Sequence, residues 1–120
     1  MPTLKKVIAW AVVGVALSAT VAFAGNRKEA QNQVEFGIRV ASQGLWREAI
    51  YRWERAVELD PTYAAAFNNL AIAYETAGDF QKAKAAYEKA IELDPKNIYI
   101  KQNFDLFKEI NDRANRQTPR

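Results

Sequence analysis

Apolar residues recur every three or four positions along most of the chain, which is the spacing that places them on one face of an α-helix. Two such stripes have similar composition: Ala49, Ile50, Trp53, Ala56 and Val57, and then Ala83, Ala86, Tyr87, Ala90 and Ile91. Glycine and proline residues separate the stripes and mark the turns between helices. The pattern predicts an all-α fold with helices near residues 28–43, 46–59, 63–77, 80–93 and 97–114.

The N-terminus has a different pattern. Val7–Ala24 contains no charged residue and follows two lysines. A short basic segment, an apolar run and small residues at Ala22 and Ala24 are typical of a secretory signal peptide, which predicts cleavage after Ala24. Eighteen helical residues would also extend about 27 Å, so a retained transmembrane anchor is the alternative for residues 1–24. Both interpretations predict that the rest of the chain is exported, to the periplasm or another extracytoplasmic location.

The remainder of the chain contains an internal repeat. Residues 30–63 align with residues 64–97 without a gap, and residues 25–29 precede the first unit as a linker. Ten aligned positions are identical, and they include the pairs Gly44/Gly78, Ala49/Ala83, Ala56/Ala90 and Pro61/Pro95. A fixed period of 34 residues is characteristic of a solenoid, in which helix pairs stack on one another.

The repeated glycines and prolines have mechanical roles. We predict that Gly44 and Gly78 adopt a left-handed conformation at the end of the first helix of each pair, because only glycine enters it freely. Pro61 and Pro95 end the second helix, since proline lacks an amide donor and restricts the residue before it.

The second unit carries the fullest pattern: Phe67, Leu70, Ala71, Tyr74, Gly78, Ala83, Tyr87, Ala90 and Pro95. With its 34-residue period, this pattern resembles the tetratricopeptide-repeat family. The first unit departs from it, with Gln33 where the family prefers an aromatic residue and Val40 where it prefers tyrosine. The resemblance implies a short right-handed α-solenoid of two helix hairpins, and a function in binding other proteins.

Residues 98–114 are predicted to form a capping helix, followed by a disordered tail at residues 115–120. Its inward residues would be Ile100, Phe104, Phe107 and Ile110, and its polar stripe Lys101, Asp105, Lys108 and Asp112. Two units are fewer than the three usually needed for a stable solenoid. Self-association, a partner, or aromatic packing would compensate, and the aromatic residues available are Trp46, Trp53, Phe80 and Tyr87.

The resemblance also implies a partner-binding groove on the concave face, which the first helix of each pair lines. Its predicted floor is apolar, at Val34, Ile38 and Ile72, and its flanks carry the amides of Asn68, Asn69, Gln102 and Asn103. Amides both donate and accept hydrogen bonds, so they suit the backbone of an extended peptide; alternatively, they only solvate the helices and join them. Some co-chaperone members of the family bind a C-terminal carboxylate, and only Asn69 matches their residues, which disfavours that ligand.

Composition argues against an enzyme. The chain has no histidine and no cysteine, which removes the commonest general base, the commonest metal ligand and the thiolate nucleophile. We predict no cofactor and no metal. Paired glutamates, Glu54 with Glu58 and Glu88 with Glu92, lie beside basic residues and are interpreted as a solvated face.

The remaining charge and aromatic residues narrow the partner class. Outside residues 1–24 the net charge is only +1, without a basic block, so a nucleic-acid partner is disfavoured. Trp46, Trp53 and Tyr87 are interpreted as core positions, whereas Tyr51 and Tyr63 lie outside the core pattern and indicate a second contact surface.

The leading hypothesis is therefore an extracytoplasmic scaffold that binds a partner polypeptide through the groove. The alternative is a single-span, membrane-anchored accessory subunit of a larger membrane protein complex. The two hypotheses differ in the fate of residues 1–24.

Overall fold

The computed structural model describes residues 26–118, which contain all five helices predicted for the repeat region. Helix α1 covers residues 26–42, followed by α2 (Trp46–Leu59), α3 (Ala64–Thr76), α4 (Phe80–Leu93) and α5 (Ile98–Gln117). The predicted signal peptide or anchor at residues 1–24 lies outside the described residues. Within residues 26–118, no helix combines the length and the apolar character needed to cross a bilayer.

The turns inside the two helix pairs have the predicted geometry. Gly44 and Gly78 both have φ near 80°, which confirms the left-handed conformation. In the first turn, the amide of Leu45 donates to the carbonyl of Val40 at 3.0 Å. Such backward hydrogen bonds satisfy the last carbonyls of the helix and reverse the chain direction, so that α1 and α2, like α3 and α4, form hairpins.

One large aromatic side chain fills the core of each hairpin. Trp53 and Tyr87, at equivalent positions of the repeat, are almost fully buried, and the alanines of the core other than Ala86 have no exposed surface. The indole Nε1 of Trp53 donates to the carbonyl of Val34 at 3.1 Å. A Cβ atom built on Gly37 would lie only 2.4 Å from that Nε1 atom, so the close approach of α1 to Trp53 requires glycine.

Helix α5 packs on the second hairpin as predicted. Ile100 and Phe107 are buried, and the rings of Phe104 and Phe107 lie 5.6 Å and 5.4 Å from the ring of Tyr87. The predicted polar stripe is exposed: Lys101, Asp105, Lys108 and Asp112.

Two predictions for α5 are wrong. Ile110 is 49% exposed rather than inward, because the row that begins at Ile100 continues through Phe107 to the half-buried Asn111, following the helical spacing of three and four. The helix also continues to Gln117, so residues 115–117 are helical and not part of a disordered tail.

Two further predictions fail near the start of the repeat region. Residues 26–29 belong to α1 and are not a linker. Trp46 is 36% exposed and is not a core position; it is the first residue of α2 and lies at the turn, at the edge of the hairpin. The equivalent Phe80 is also exposed, although its ring lies 6.3 Å from that of Phe107.

Candidate partner-binding site

Three apolar side chains occupy equivalent positions on α1 and α3, the first helices of the two hairpins, and on α5, which follows them in the same register. Ile38 on α1, Ile72 on α3 and Leu106 on α5 are spaced by 34 residues, and we call them the apolar row. Ile38 is 51% exposed, Leu106 is 57% exposed and Ile72 is half-buried. Large apolar side chains that remain this exposed at repeated positions mark a candidate contact surface.

A second row lies one helical turn earlier on the same helices. Glu35, Asn69 and Asn103 are again spaced by 34 residues, and we call them the polar row. The Nδ2 atom of Asn103 donates to Oδ1 of Asn68 at 3.3 Å, which joins α5 to α3. That hydrogen bond leaves the carbonyl oxygen and one N–H of Asn103 for a ligand, since an amide has two donors and an acceptor.

The structure places four of the seven predicted site residues in these two rows: Ile38, Ile72, Asn69 and Asn103. Asn68 lies beside them, half-buried, with its oxygen occupied by Asn103. Gln102 is exposed on α5, one position outside the polar row.

Val34 does not belong to the candidate surface. It is 5% exposed and part of the core, because it lies on the same face of α1 as the buried Ala30 and the buried Gly37. The repeat-equivalent position on α3 is the half-buried Asn68.

Leu106 is the residue that the sequence reasoning missed. It follows Ile72 by 34 residues, so the period itself is the signal that identifies it. α5 lacks the glycine and alanine landmarks of a repeat, which obscures this register beyond Asn103. On the same side of α5, Tyr99 and Ile110 are also exposed, so the apolar surface is widest at this helix.

The side of the first hairpin where a preceding helix pair would pack is covered by charge. The guanidinium of Arg52 lies 4.2 Å from the ring centre of Phe36 and pairs with Glu48 at 2.8 Å. The repeat-equivalent of Arg52 is Ala86, which is buried in the second hairpin. A small residue permits stacking there, whereas Arg52 seals the surface, in the way that terminal repeats are capped.

A buried carboxylate fixes the start of α1. Asp60 is almost fully buried, pairs with Arg27 and accepts hydrogen bonds from the amide and hydroxyl of Thr62 at 2.9 Å and 2.6 Å. Burial by itself raises the pKa of Asp60, but the hydrogen bonds from Thr62 and Arg27 outweigh it and hold the pKa below its ordinary value. The Arg27 guanidinium also covers the ring of Tyr63 at 4.7 Å.

Two tyrosine–glutamate hydrogen bonds connect neighbouring helices. The hydroxyl of Tyr74 donates to Glu54 at 2.7 Å, and that of Tyr87 donates to Glu75 at 2.9 Å. Burial, followed by the hydrogen bond to the carboxylate, raises the pKa of both tyrosines well above the usual range. Glu54 therefore has a structural role that the sequence did not reveal.

The other glutamates of the paired set form surface ion pairs. Arg55 pairs with Glu58 at 2.9 Å, and Lys89 pairs with Glu92 at 3.3 Å, as expected for a solvated face. Over residues 26–118, no three acidic side chains cluster in a way that would hold a metal ion. The exposed Tyr51 remains a candidate for a second contact surface, whereas Tyr63 is half-buried beneath Arg27.

Comparison with known proteins gives two overlapping family matches. Residues 64–97 match the family model described as tetratricopeptide repeat, and residues 39–78 match that described as TPR repeat.

Curated relatives and a solved structure agree with these matches. The chloroplastic tetratricopeptide repeat domain-containing protein PYG7 of Arabidopsis thaliana is 32% identical over 61% of this chain and 24% of its own length. Photosystem I assembly protein Ycf3 of Prochlorococcus marinus is 28% identical over 91% of this chain and 65% of its own length. The crystal structure of MamA aligns with a TM-score of 0.65 and 30% identity, over 69% of this chain and 48% of that chain. The chain thus matches less than two thirds of the length of each.

Proposed function

Because this chain belongs to the tetratricopeptide-repeat family, whose repeats bind protein partners, we propose that it is a scaffold that binds a partner polypeptide across α1, α3 and α5. The observation that carries this proposal is the exposed apolar row beside the polar row. Ile38 and Leu106 are more than half exposed and are not part of the core, whereas Ile72 is half-buried and also packs against it.

One of the relatives supports a role in assembly. Ycf3 is named as an assembly protein for photosystem I, and its match covers most of this chain. We propose a comparable role, in which the repeats hold one component of a complex while it is built or maintained.

Two locations for the scaffold follow from residues 1–24. Cleavage after Ala24 would release it as a free extracytoplasmic adaptor, which is our first proposal. The second is a membrane-anchored accessory subunit. In that case the ion pair between Arg27 and the buried Asp60, which fixes the beginning of α1 to the turn before α3, would hold the repeats close to the anchor.

A photo-cross-linking amino acid introduced at Leu106 or Ile38 tests the binding surface in native cells. Ala85 is the matched control, because it is exposed but lies on the second helix of its hairpin. We expect both row positions to cross-link to the same partner and the control position to give no such product. Cross-linking at Ala85 alone would place the binding surface on the other face.

Intact mass of the native protein in soluble and membrane fractions distinguishes the two locations. A soluble species that begins at Gly25 supports the free adaptor. A membrane-bound species that still carries Met1 or Pro2 supports the anchored subunit.

A further inference from the structure

The starts of α1, α3 and α5 lie together at one end of the molecule. They surround a cavity of about 350 Å³, whose lining includes Arg27, Ala64, Ala65 and Asn97. The guanidinium of Arg27 also bonds to the hydroxyl of Thr62 at 3.1 Å, in the turn before α3. We call this the helix-start end and define it as residues 26–29, 60–65 and 94–101.

Two large apolar side chains are exposed at the helix-start end. Ile98 is 61% exposed and Tyr99 is 72% exposed, so neither contributes to the core. Their equivalents on α3 are the small residues Ala64 and Ala65, which shows that the repeat does not need large side chains at these positions. Tyrosine beside an aliphatic residue suits the boundary between water and hydrocarbon, where the ring is buried and the hydroxyl stays hydrated.

Lysines surround this apolar pair. Lys28 in the first turn of α1, Lys96 before α5 and Lys101 in the first turn of α5 are all exposed. Glu29 is the single exposed carboxylate among the described residues 26–29, 60–65 and 94–101, and it accepts a hydrogen bond from the amide of Gln33 at 3.1 Å. Basic residues around exposed apolar side chains are complementary to anionic lipid headgroups.

The course of the chain places the same end next to a membrane anchor. The uncharged run ends at Ala24 and α1 begins at residue 26, so these two positions are separated by at most about 7 Å of extended backbone. An anchor formed by residues 1–24 would therefore bring the helix-start end to the bilayer. The turns at Gly44 and Gly78, at the other end of α1 and α3, would face away from it.

We propose that the helix-start end lies on an anionic lipid surface, with Ile98 and Tyr99 in the interfacial region and the three lysines against the headgroups. This inference rests on the membrane-anchored form of the proposed function and specifies how the repeats are oriented. The first helices then stand on the bilayer by their N-termini. At 1.5 Å per residue, the apolar row lies about 12–18 Å above the surface, where it presents a partner close to the membrane.

Two labelled positions on one helix test this orientation. The chain has no cysteine, so a single cysteine at Ala65 or Ala77 accepts a fluorescent label. Both residues are exposed, but Ala65 belongs to the helix-start end and Ala77 lies about 18 Å further along α3. The full chain is reconstituted in vesicles of phosphatidylcholine and phosphatidylglycerol that carry a headgroup quencher. We expect strong quenching at Ala65 and little at Ala77; equal quenching at both positions would overturn the proposal.

Variants separate lipid contact from simple tethering. Changing Ile98 and Tyr99 together to aspartate should reduce quenching at Ala65, with helicity unchanged by circular dichroism. Ile110→Asp is the matched control, because Ile110 is 49% exposed on the same helix but lies outside the helix-start end. Replacing any one of the three lysines with glutamine should reduce quenching as well, since a basic residue near an anionic surface favours contact by up to about fivefold.

The other outcomes also decide the proposal. Unchanged quenching in the double aspartate variant would overturn it, because the tether alone would then hold the repeats at the surface. A native protein that is soluble and begins at Gly25 would overturn it too, and so would absent quenching at Ala65 with a protein cross-linked from Ile98 in cells. Cross-linking from Leu106 and Ile38 tests the proposed function separately, since neither residue belongs to the helix-start end.

Discussion

Substituting Gly37 with alanine adds one methyl group at the closest approach between α1 and α2. The new Cβ would lie 2.4 Å from Nε1 of Trp53 and 2.8 Å from Cδ1 and Cε2 of the same ring. Van der Waals contact between such atoms needs about 3.5 Å, so the indole must move by about 1 Å. This shift would also break the hydrogen bond from Nε1 to the carbonyl of Val34.

The change in the free energy of unfolding is the sum of one stabilising and two destabilising contributions. Alanine favours a helix over glycine by about 1 kcal/mol. Overpacking of a filled core costs about 1–3 kcal/mol, and loss of the indole hydrogen bond costs about 1 kcal/mol. We therefore expect Gly37→Ala to lower the free energy of unfolding by about 1–3 kcal/mol and the melting temperature by at least about 4 °C.

Circular dichroism during thermal and urea unfolding measures the change, and a double-mutant cycle with Trp53→Phe tests its cause. Phenylalanine lacks the pyrrole nitrogen that makes the shortest approach. Tyrosine at position 53 is unsuitable, because its hydroxyl would lack an acceptor. The hydroxyl of the equivalent Tyr87 donates to Glu75, and the residue equivalent to Glu75 in the first hairpin is Ala41. In the Trp53→Phe background, Gly37→Ala should be close to neutral or stabilising. The steric argument would be refuted if Gly37→Ala lowered the free energy of unfolding equally in both backgrounds, or if it raised that free energy in the wild-type background.

The turn glycine Gly78 has φ near 80°, and an added Cβ would have no neighbour within 4 Å. Gly78→Ala should therefore lower the free energy of unfolding by about 1 kcal/mol through backbone strain alone. Urea unfolding measures this change, and an unchanged stability would contradict the prediction. The pKa of Asp60 lies below its ordinary value of 3.8, so its stabilising contribution is present above that pH and is lost as the pH falls through the lowered pKa. Acid unfolding of Asp60→Asn should therefore show a weaker pH dependence than the wild type, and an identical acid transition would count against the ion pair with Arg27. The raised pKa of Tyr87 predicts the opposite sign: stability is present below pH 10.0, the ordinary tyrosine pKa, and is lost above it as the unfolded chain ionises. Tyr87→Phe should reduce this alkaline loss; if it does not, the hydrogen bond to Glu75 is not responsible.

The local signals in the sequence determined the helices and their turns. The positions of Gly44 and Gly78 required a left-handed residue, and the apolar spacing within each unit identified the buried faces around Trp53 and Tyr87. These features depend on residues within one turn or one repeat, which is why period and composition suffice to predict them. The resemblance to the tetratricopeptide-repeat family also implied the positions of Ile38, Ile72, Asn69 and Asn103.

Tertiary structure decided which members of a repeated position remain exposed. Val34 and Asn68 are repeat equivalents, yet Val34 is buried in the core while Asn68 bonds to Asn103 between α3 and α5. Leu106 became part of the site because α5 packs on the second hairpin through Phe104 and Phe107 and leaves Leu106 exposed, although α5 lacks the landmarks of a repeat. Burial depends on which helices surround a residue, and the residue's position within the repeat does not by itself specify those neighbours.

The packing of neighbouring helices also decides which acidic residues are buried and structural and which form exposed ion pairs. Asp60 and Glu58 lie two positions apart, but one is buried against Arg27 and the other forms an exposed pair with Arg55. The sequence shows that carboxylates are present and how they are spaced. Only the packing of α1 against the turn before α3 determines that Asp60 loses contact with water and must be paired, because a buried charge without a partner is costly.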